Sequence, residues 1–178
     1  MAASALYIGG YRWSPIAAAK AEFDVGAHAV AFGAVDYPWG QVLLVDTPHG
    51  PRTVLLRKHG FLWRAPGDTY FDNRTDPVTT VGWLSYASTQ GQATVFAVKT
   101  TDSQVAWIAA GPSSARQRKA IEVGKPVIFS WNQAITWYEL QPVAFSKTDQ
   151  PLYAYRLPKN KTTVGPNDIR WYPVNGPN

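Results

Sequence analysis

The sequence predicts a single all-β domain of antiparallel hairpins. Aromatic residues make up 13% of the chain, glycine and proline number 14 each, and charged residues reach only 16%. Aromatic residues favour strands, whereas glycine and proline favour turns. Glutamate, a good helix former, occurs only at positions 22, 122 and 139, which disfavours a helical bundle or a coiled coil. We therefore expect residues 1–178 to form one domain with its own core.

Runs of β-branched, aromatic or apolar residues, mostly bounded by Gly, Pro or Asp, mark the expected strands. They cover residues 42–45, 53–56, 82–87, 94–98, 104–108, 126–131, 135–140, 152–157 and 168–172. Residues 47–51 and 88–92 have the composition of hairpin loops, which supports antiparallel pairing of the strands on either side.

Two short helices are expected beside the strands. Ser14 and Pro15 are residue types that favour the N-cap and first position of a helix, here over residues 16–23. Ser113 or Ser114 caps a turn that we expect to continue to Lys119. Neither helix is long enough to organise the fold.

A faint internal repeat of about 44 residues runs through the chain. Residues 50–67 and 91–111 share Gly-x-x-Thr-Val, a lysine at the same offset and a closing Trp-x-Ala-x-Gly, and a looser third copy begins at Trp137. Such units favour a β-trefoil-like or β-prism-like fold, with a jelly-roll or other β-sandwich as the alternative. The repeat predicts that Trp63 and Trp107 occupy equivalent places.

Motifs for most enzymatic chemistry are absent from the sequence. The chain has no cysteine, which excludes disulfides, thiolate metal sites and thiol nucleophiles. The three histidines lack metal-ligand spacing, and neither a phosphate-binding glycine loop nor a Gly-x-Ser-x-Gly elbow occurs. We therefore predict no catalytic residues, no metal and no cofactor. A hydrolase that uses Asp68 or Asp72 with a glutamate is the enzymatic alternative.

The aromatic residues carry the strongest functional indication, because 8 tryptophans exceed what a small core needs. A sugar stacks its C–H face on an aromatic ring while neighbouring polar groups bind its hydroxyls. The segment from residue 63 to residue 76 combines both kinds of side chain, and we predict a ligand-binding loop there. Its predicted binding residues are Trp63, Asp68, Tyr70, Asp72, Asn73 and Arg74.

A second group of aromatic and amide side chains forms an alternative ligand site. It consists of Trp131, Asn132, Trp137 and Tyr138. For each tryptophan a core or interface role is the competing interpretation. For residues 66–77 the competitor is a structural turn with local Asx hydrogen bonds.

These observations predict a non-enzymatic, lectin-like protein, defensive or toxic to cells, whose partner is a glycan or glycoconjugate. The alternative is a structural subunit of a virion or similar assembly, because the Pro-rich segment 142–178 has the composition of an extended, exchanged arm. A membrane-lipid-binding protein of the pore-forming type is the third class. A homo-oligomer is compatible with all three.

The net charge is a modest +5, and the densest basic cluster is Arg116, Arg118 and Lys119. Nucleic acid is therefore a disfavoured partner. No apolar stretch is long enough to span a membrane, and residues 1–11 lack the pattern of a signal peptide. We expect a cytoplasmic protein, one released without a signal peptide, or a virion component. On a secretory route the sequons at Asn73 and Asn160 would become relevant.

Overall fold

The computed structural model describes residues 9–72, 74–159, 163, 165 and 168–176. Antiparallel strands dominate these residues, which confirms the all-β prediction. Both sequon asparagines, Asn73 and Asn160, lie outside the described residues.

The described residues form 12 strands and three short helical segments. The strands are β1 (Val30–Tyr37), β2 (Gly40–Thr47), β3 (Gly50–His59), β4 (Leu62–Tyr70), β5 (Val78–Ser88), β6 (Gly91–Thr100), β7 (Trp107–Ala110), β8 (Gln117–Ala120), β9 (Val127–Trp131), β10 (Val143–Phe145), β11 (Pro151–Arg156) and β12 (Arg170–Pro173). The helices are α1 (Pro15–Lys20), α2 (Trp137–Leu140) and a 3₁₀ turn (Ser113–Ala115).

The strands form three sheets. Their strand orders are β1-β2-β3-β4, β5-β6-β9 and β12-β11-β10-β7-β8. The chain also divides into two compact units. In the described part, unit 1 comprises residues 9–72, 81–96 and 130–133, and unit 2 comprises residues 74–80, 97–129, 134–159, 163, 165 and 168–176. The four-stranded sheet belongs to unit 1 and the five-stranded sheet to unit 2. The assignment of residues 1–178 to one domain stays a prediction.

Helix α1 covers one face of the four-stranded sheet. Ser14 caps the helix, since its Oγ accepts a hydrogen bond of 3.3 Å from the backbone N–H of Ala17, and Pro15 follows at the first position. Ala18 and Ala19 are buried against Val54 and other apolar side chains of β2, β3 and β4. Their small size lets the helix approach the sheet closely. The helix ends at Lys20, three residues before the predicted end.

Three sequence-based assignments of secondary structure are wrong. Residues 117–120 form strand β8 and not the end of a helix, because the helical turn stops at Ala115. Residues 137–140 form helix α2 within a segment predicted as a strand. Strands β1 and β4 were not predicted at all, and β4 occupies most of the segment that was assigned to a loop.

The repeated sequence motif corresponds to a repeated hairpin turn. In the β2–β3 turn, Thr47 Oγ1 donates to the carbonyl of Gly50 (2.7 Å) and accepts from the N–H of His49 (3.2 Å). Ser88 makes the same two bonds in the β5–β6 turn, both at 3.2 Å. The Gly-x-x-Thr-Val motif is therefore the start of the second strand in each hairpin.

The repeat does not extend beyond this hairpin. Strand β4, which carries Trp63, pairs with β3. Strand β7, which begins at Trp107, pairs instead with β8 and β10. The prediction that Trp63 and Trp107 occupy equivalent places is therefore wrong, since their strands have different partners.

The five-stranded sheet brings distant parts of the sequence together. Strand β10 lies between β7 and β11, with Val143 opposite Ala109 on one side and Ala154 on the other. The described part of segment 142–178 supplies β10, β11 and β12 to this sheet. Exchange of the segment between copies of the chain stays a prediction.

Candidate functional site

Three of the six residues of the first predicted site, Trp63, Asp68 and Tyr70, lie on strand β4 and not on a loop. Asp68 forms an ion pair with Arg52 of the neighbouring strand, and both side chains are mostly buried. The guanidinium carbon of Arg52 also lies 5.6 Å from the centre of the exposed Tyr70 ring. The Asp68 carboxylate therefore holds two strands together in this structure.

Trp63 is packed against the core under α1. Its backbone exchanges two hydrogen bonds of 2.8 Å with Arg12, and the Lys58 ammonium lies 5.8 Å from its ring centre. Asp72 is exposed in unit 1, whereas Arg74 belongs to unit 2. Asn73 lies outside the described residues.

The second predicted group is divided between the two units. Trp131 is a buried core residue of unit 1, and Asn132 is exposed there. Trp137 and Tyr138 lie on α2 in unit 2, where their rings meet edge to face with centroids 5.9 Å apart. Tyr138 is 61% exposed. These two aromatic residues are available to a ligand, unlike Trp131.

An open cavity of about 320 Å³ adjoins this aromatic pair in unit 2. This volume lies at the lower end of the range of roughly 300–1,000 Å³ that is usual for small-molecule sites. Its polar and aromatic lining comes from α2, the residue that follows it, and β11. These residues are Trp137, Tyr138, Gln141, Tyr155 and Arg156.

A capping box fixes the start of α2. The backbone N–H of Thr136 donates to Glu139 Oε2 (2.9 Å), and the Thr136 hydroxyl donates to the same oxygen. These two bonds lower the pKa of Glu139, with the hydroxyl bond as the larger cause. Leu140 is buried and anchors the other face of the turn. The capping bonds and the buried Leu140 side chain thus hold the four-residue helix, and with it Trp137, in a defined position.

Arg116 fixes the other end of α2. Its guanidinium donates to the carbonyl oxygens of Gly111 (3.1 Å) and Gln141 (3.0 Å). The N–H of Gly111 donates in turn to the carbonyl of Leu140 (2.7 Å). Burial lowers the pKa of Arg116. Gln141 adopts the left-handed conformation (φ 39°), so the chain turns sharply here along the cavity wall.

Arg118 and Lys119, grouped with Arg116 in the sequence, also contact their own chain. Arg118 pairs with Asp149 and lies 4.9 Å from the centre of the Trp107 ring. The Lys119 ammonium donates to the carbonyl of Ile128 (2.7 Å). The prediction that nucleic acid is a disfavoured partner stays a prediction.

Tyr155 and Arg156 form the strand side of the cavity. Tyr155 lies opposite Trp171 of β12, and their ring centroids are 5.7 Å apart. Burial raises the pKa of Tyr155, while a hydrogen bond with Thr80 and the charge of Arg74 oppose the rise. One residue of the first predicted site, Arg74, thus acts electrostatically on Tyr155.

The Arg156 guanidinium is oriented by its neighbours. It donates to the carbonyl of Leu157 (3.0 Å), and its central carbon lies 5.0 Å from the centre of the Tyr172 ring. Among the described residues that line the cavity, none is Asp or Glu, so Arg156 is the charged group of the lining. The cavity therefore combines aromatic surface, an amide and one positive charge.

The lining offers groups that could contact a ligand. Phenol, amide and guanidinium groups donate hydrogen bonds, and aromatic rings provide stacking surface. Within the part of the chain that the structure describes, no group of three or more His, Asp or Glu side chains is placed to hold a metal ion. The described helices are all too short or too polar to cross a membrane.

Three of the five polar and aromatic lining residues were missed from the sequence, namely Gln141, Tyr155 and Arg156. The alternation in Leu152-Tyr-Ala-Tyr-Arg156 indicated a strand, and its aromatic and basic residues were the available signal. Comparison with protein-family models, curated proteins and solved structures gives no match. The site must therefore be judged on its own geometry.

Proposed function

We propose that the protein is a non-enzymatic carbohydrate-binding protein whose ligand occupies the cavity beside α2. The observation that supports this proposal is the placement of Trp137 and Tyr138 at a cavity of about 320 Å³ that also contains Gln141 and Arg156. Two aromatic residues that the sequence singled out thus adjoin both polar groups and a cavity large enough for a sugar.

The aromatic pair supplies the apolar part of the interaction. Because the Trp137 and Tyr138 rings lie at 87° to each other, they offer two differently oriented surfaces. The C–H face of a sugar ring stacks on one, and an adjoining sugar contacts the other. Aromatic side chains lose little rotamer freedom when they bind, which favours them for this role.

The charge of the lining favours an acidic sugar. Arg156 supplies a guanidinium to the lining, and the flat set of donors of this group matches a carboxylate or sulfate. The described lining has no carboxylate of its own, which favours an anionic ligand. We therefore expect uronic, sialic or sulfated sugars to bind more tightly than neutral ones.

A glycan array followed by calorimetric titration of the selected sugar tests this proposal. Trp137→Ala should weaken binding at least about tenfold, a loss of about 1.4 kcal/mol, while the melting temperature changes little. Trp13→Ala is the matched control, because it removes an exposed tryptophan of unit 1. Failure of every arrayed glycan to bind, or equal binding by wild type and Trp137→Ala, would contradict the proposal.

A further inference from the structure

A second exposed aromatic pair lies in unit 1. Trp13 and Phe61 are 73% and 68% exposed, and their rings stack with centroids 5.3 Å apart and planes 10° from parallel. The two rings cover each other on one face only. Large apolar side chains that are exposed together commonly mark an interaction surface.

The backbone presents this pair in a defined position. Arg12 and Trp63 exchange two backbone hydrogen bonds of 2.8 Å, which place the neighbouring Trp13 beside the end of the β3–β4 hairpin. Gly60 adopts a left-handed conformation (φ 63°) that the tight turn requires, and Phe61 follows it at the tip. The pair is therefore exposed at the end of the hairpin.

The surrounding segments are strongly basic. Residues 9–20 and 57–64 contain no acidic residue, and their basic residues are Arg12, Lys20, Arg57, Lys58 and Arg64. The guanidinium of Arg64 lies 5.8 Å from the centre of the Tyr11 ring, and the His59 ring meets Tyr11 edge to face. Carboxylates from outside these segments also lie nearby. Glu22 interacts electrostatically with Arg64, and Asp68 and Asp24 act on Glu22.

We propose that Trp13, Phe61 and the basic residues near them form a docking surface for an anionic lipid membrane; Arg57 is not part of it, because its guanidinium donates to Gln90 of the β5–β6 turn. Tryptophan and phenylalanine enter the boundary between headgroups and acyl chains, while lysine and arginine are attracted to anionic headgroups. An exposed hairpin end fits a broad surface. A nucleic acid strand would instead need a groove that follows its backbone.

Sedimentation of the full chain with lipid vesicles tests this proposal. Wild type should bind vesicles of equal parts phosphatidylcholine and phosphatidylserine, bind pure phosphatidylcholine much less, and be released by high salt. The double variant Trp13→Ala/Phe61→Ala should bind the anionic vesicles at least about tenfold more weakly, with an unchanged circular dichroism spectrum.

The variant Trp137→Ala is the matched control, because its tryptophan lies outside the basic segments and it should sediment like wild type. Equal sedimentation of wild type and the double variant would overturn the proposal. So would binding of a single-stranded oligonucleotide that both aromatic substitutions abolish while vesicle binding persists. We expect Trp13→Ala/Phe61→Ala to lose vesicle binding but keep glycan binding, and Trp137→Ala to lose glycan binding but keep vesicle binding. Failure of one proposal can therefore be distinguished from failure of the other.

Discussion

Gly40→Ala should lower the free energy of unfolding by about 3 kcal/mol. A methyl group on Gly40 would overlap the carbonyl oxygen of Leu56 and come within 3.2 Å of its carbonyl carbon and 3.3 Å of the Arg57 Cα. All three atoms belong to the backbone of β3, which pairs directly with β2 at this point. Relief of the overlap therefore requires the two strands to separate locally.

Gly67→Ala is the matched control for this substitution. Gly67 also lies in a strand of the same sheet, opposite Leu55, but a methyl group there meets no described atom within 4 Å. Its substitution should change stability by less than about 0.5 kcal/mol. Urea unfolding followed by tryptophan fluorescence measures both variants, and equal losses would show that the contact at Gly40 relaxes.

Trp171→Ala should destabilise the protein by about 3–5 kcal/mol and also weaken glycan binding. Trp171 is buried, and its indole N–H donates to Thr80 Oγ1 (3.1 Å). Its removal leaves a cavity, deprives Thr80 of a donor and takes away the ring that packs on Tyr155. Tyr155, which lines the candidate binding site, therefore loses the ring that holds it in position.

Trp13→Ala serves as the comparison, because it deletes the same side chain from an exposed position and should cost less than about 0.5 kcal/mol. Thermal unfolding and glycan titration of both variants, at a temperature where each is folded, separate stability from binding. Full glycan affinity in folded Trp171→Ala would mean that Tyr155 needs no support from β12.

Local sequence signals predicted the fold class and several elements. The Ser14-Pro15 pair marked the start of α1, and the Gly-x-x-Thr-Val motif marked real hairpins. Helix α2 was assigned to a strand because its segment is apolar. The overlooked signal was the spacing of Thr136 and Glu139, which is that of a capping box.

The candidate site was predictable only in part. Trp137 and Tyr138 stood out as aromatic residues beside polar ones, and the cavity adjoins them. Tyr155 and Arg156 join them only because β10 pairs with β11 after the chain turns at Gln141. Periodicity within a segment does not specify its pairing partner, so this half of the site was not predictable from the sequence.

The order of strands in the four-stranded and five-stranded sheets has a consequence for folding kinetics. In unit 1 each of β1, β2 and β3 pairs with the next strand along the chain, so the four-stranded sheet has low contact order and its hairpins close quickly. The pairing of β7 with β10 must instead wait for β8, β9 and α2. Unit 1 itself is completed late, since Thr94 donates to the carbonyl of Gln133 (2.8 Å). During synthesis unit 1 therefore remains without residues 130–133 until residues 97–129 of the second unit have emerged from the ribosome.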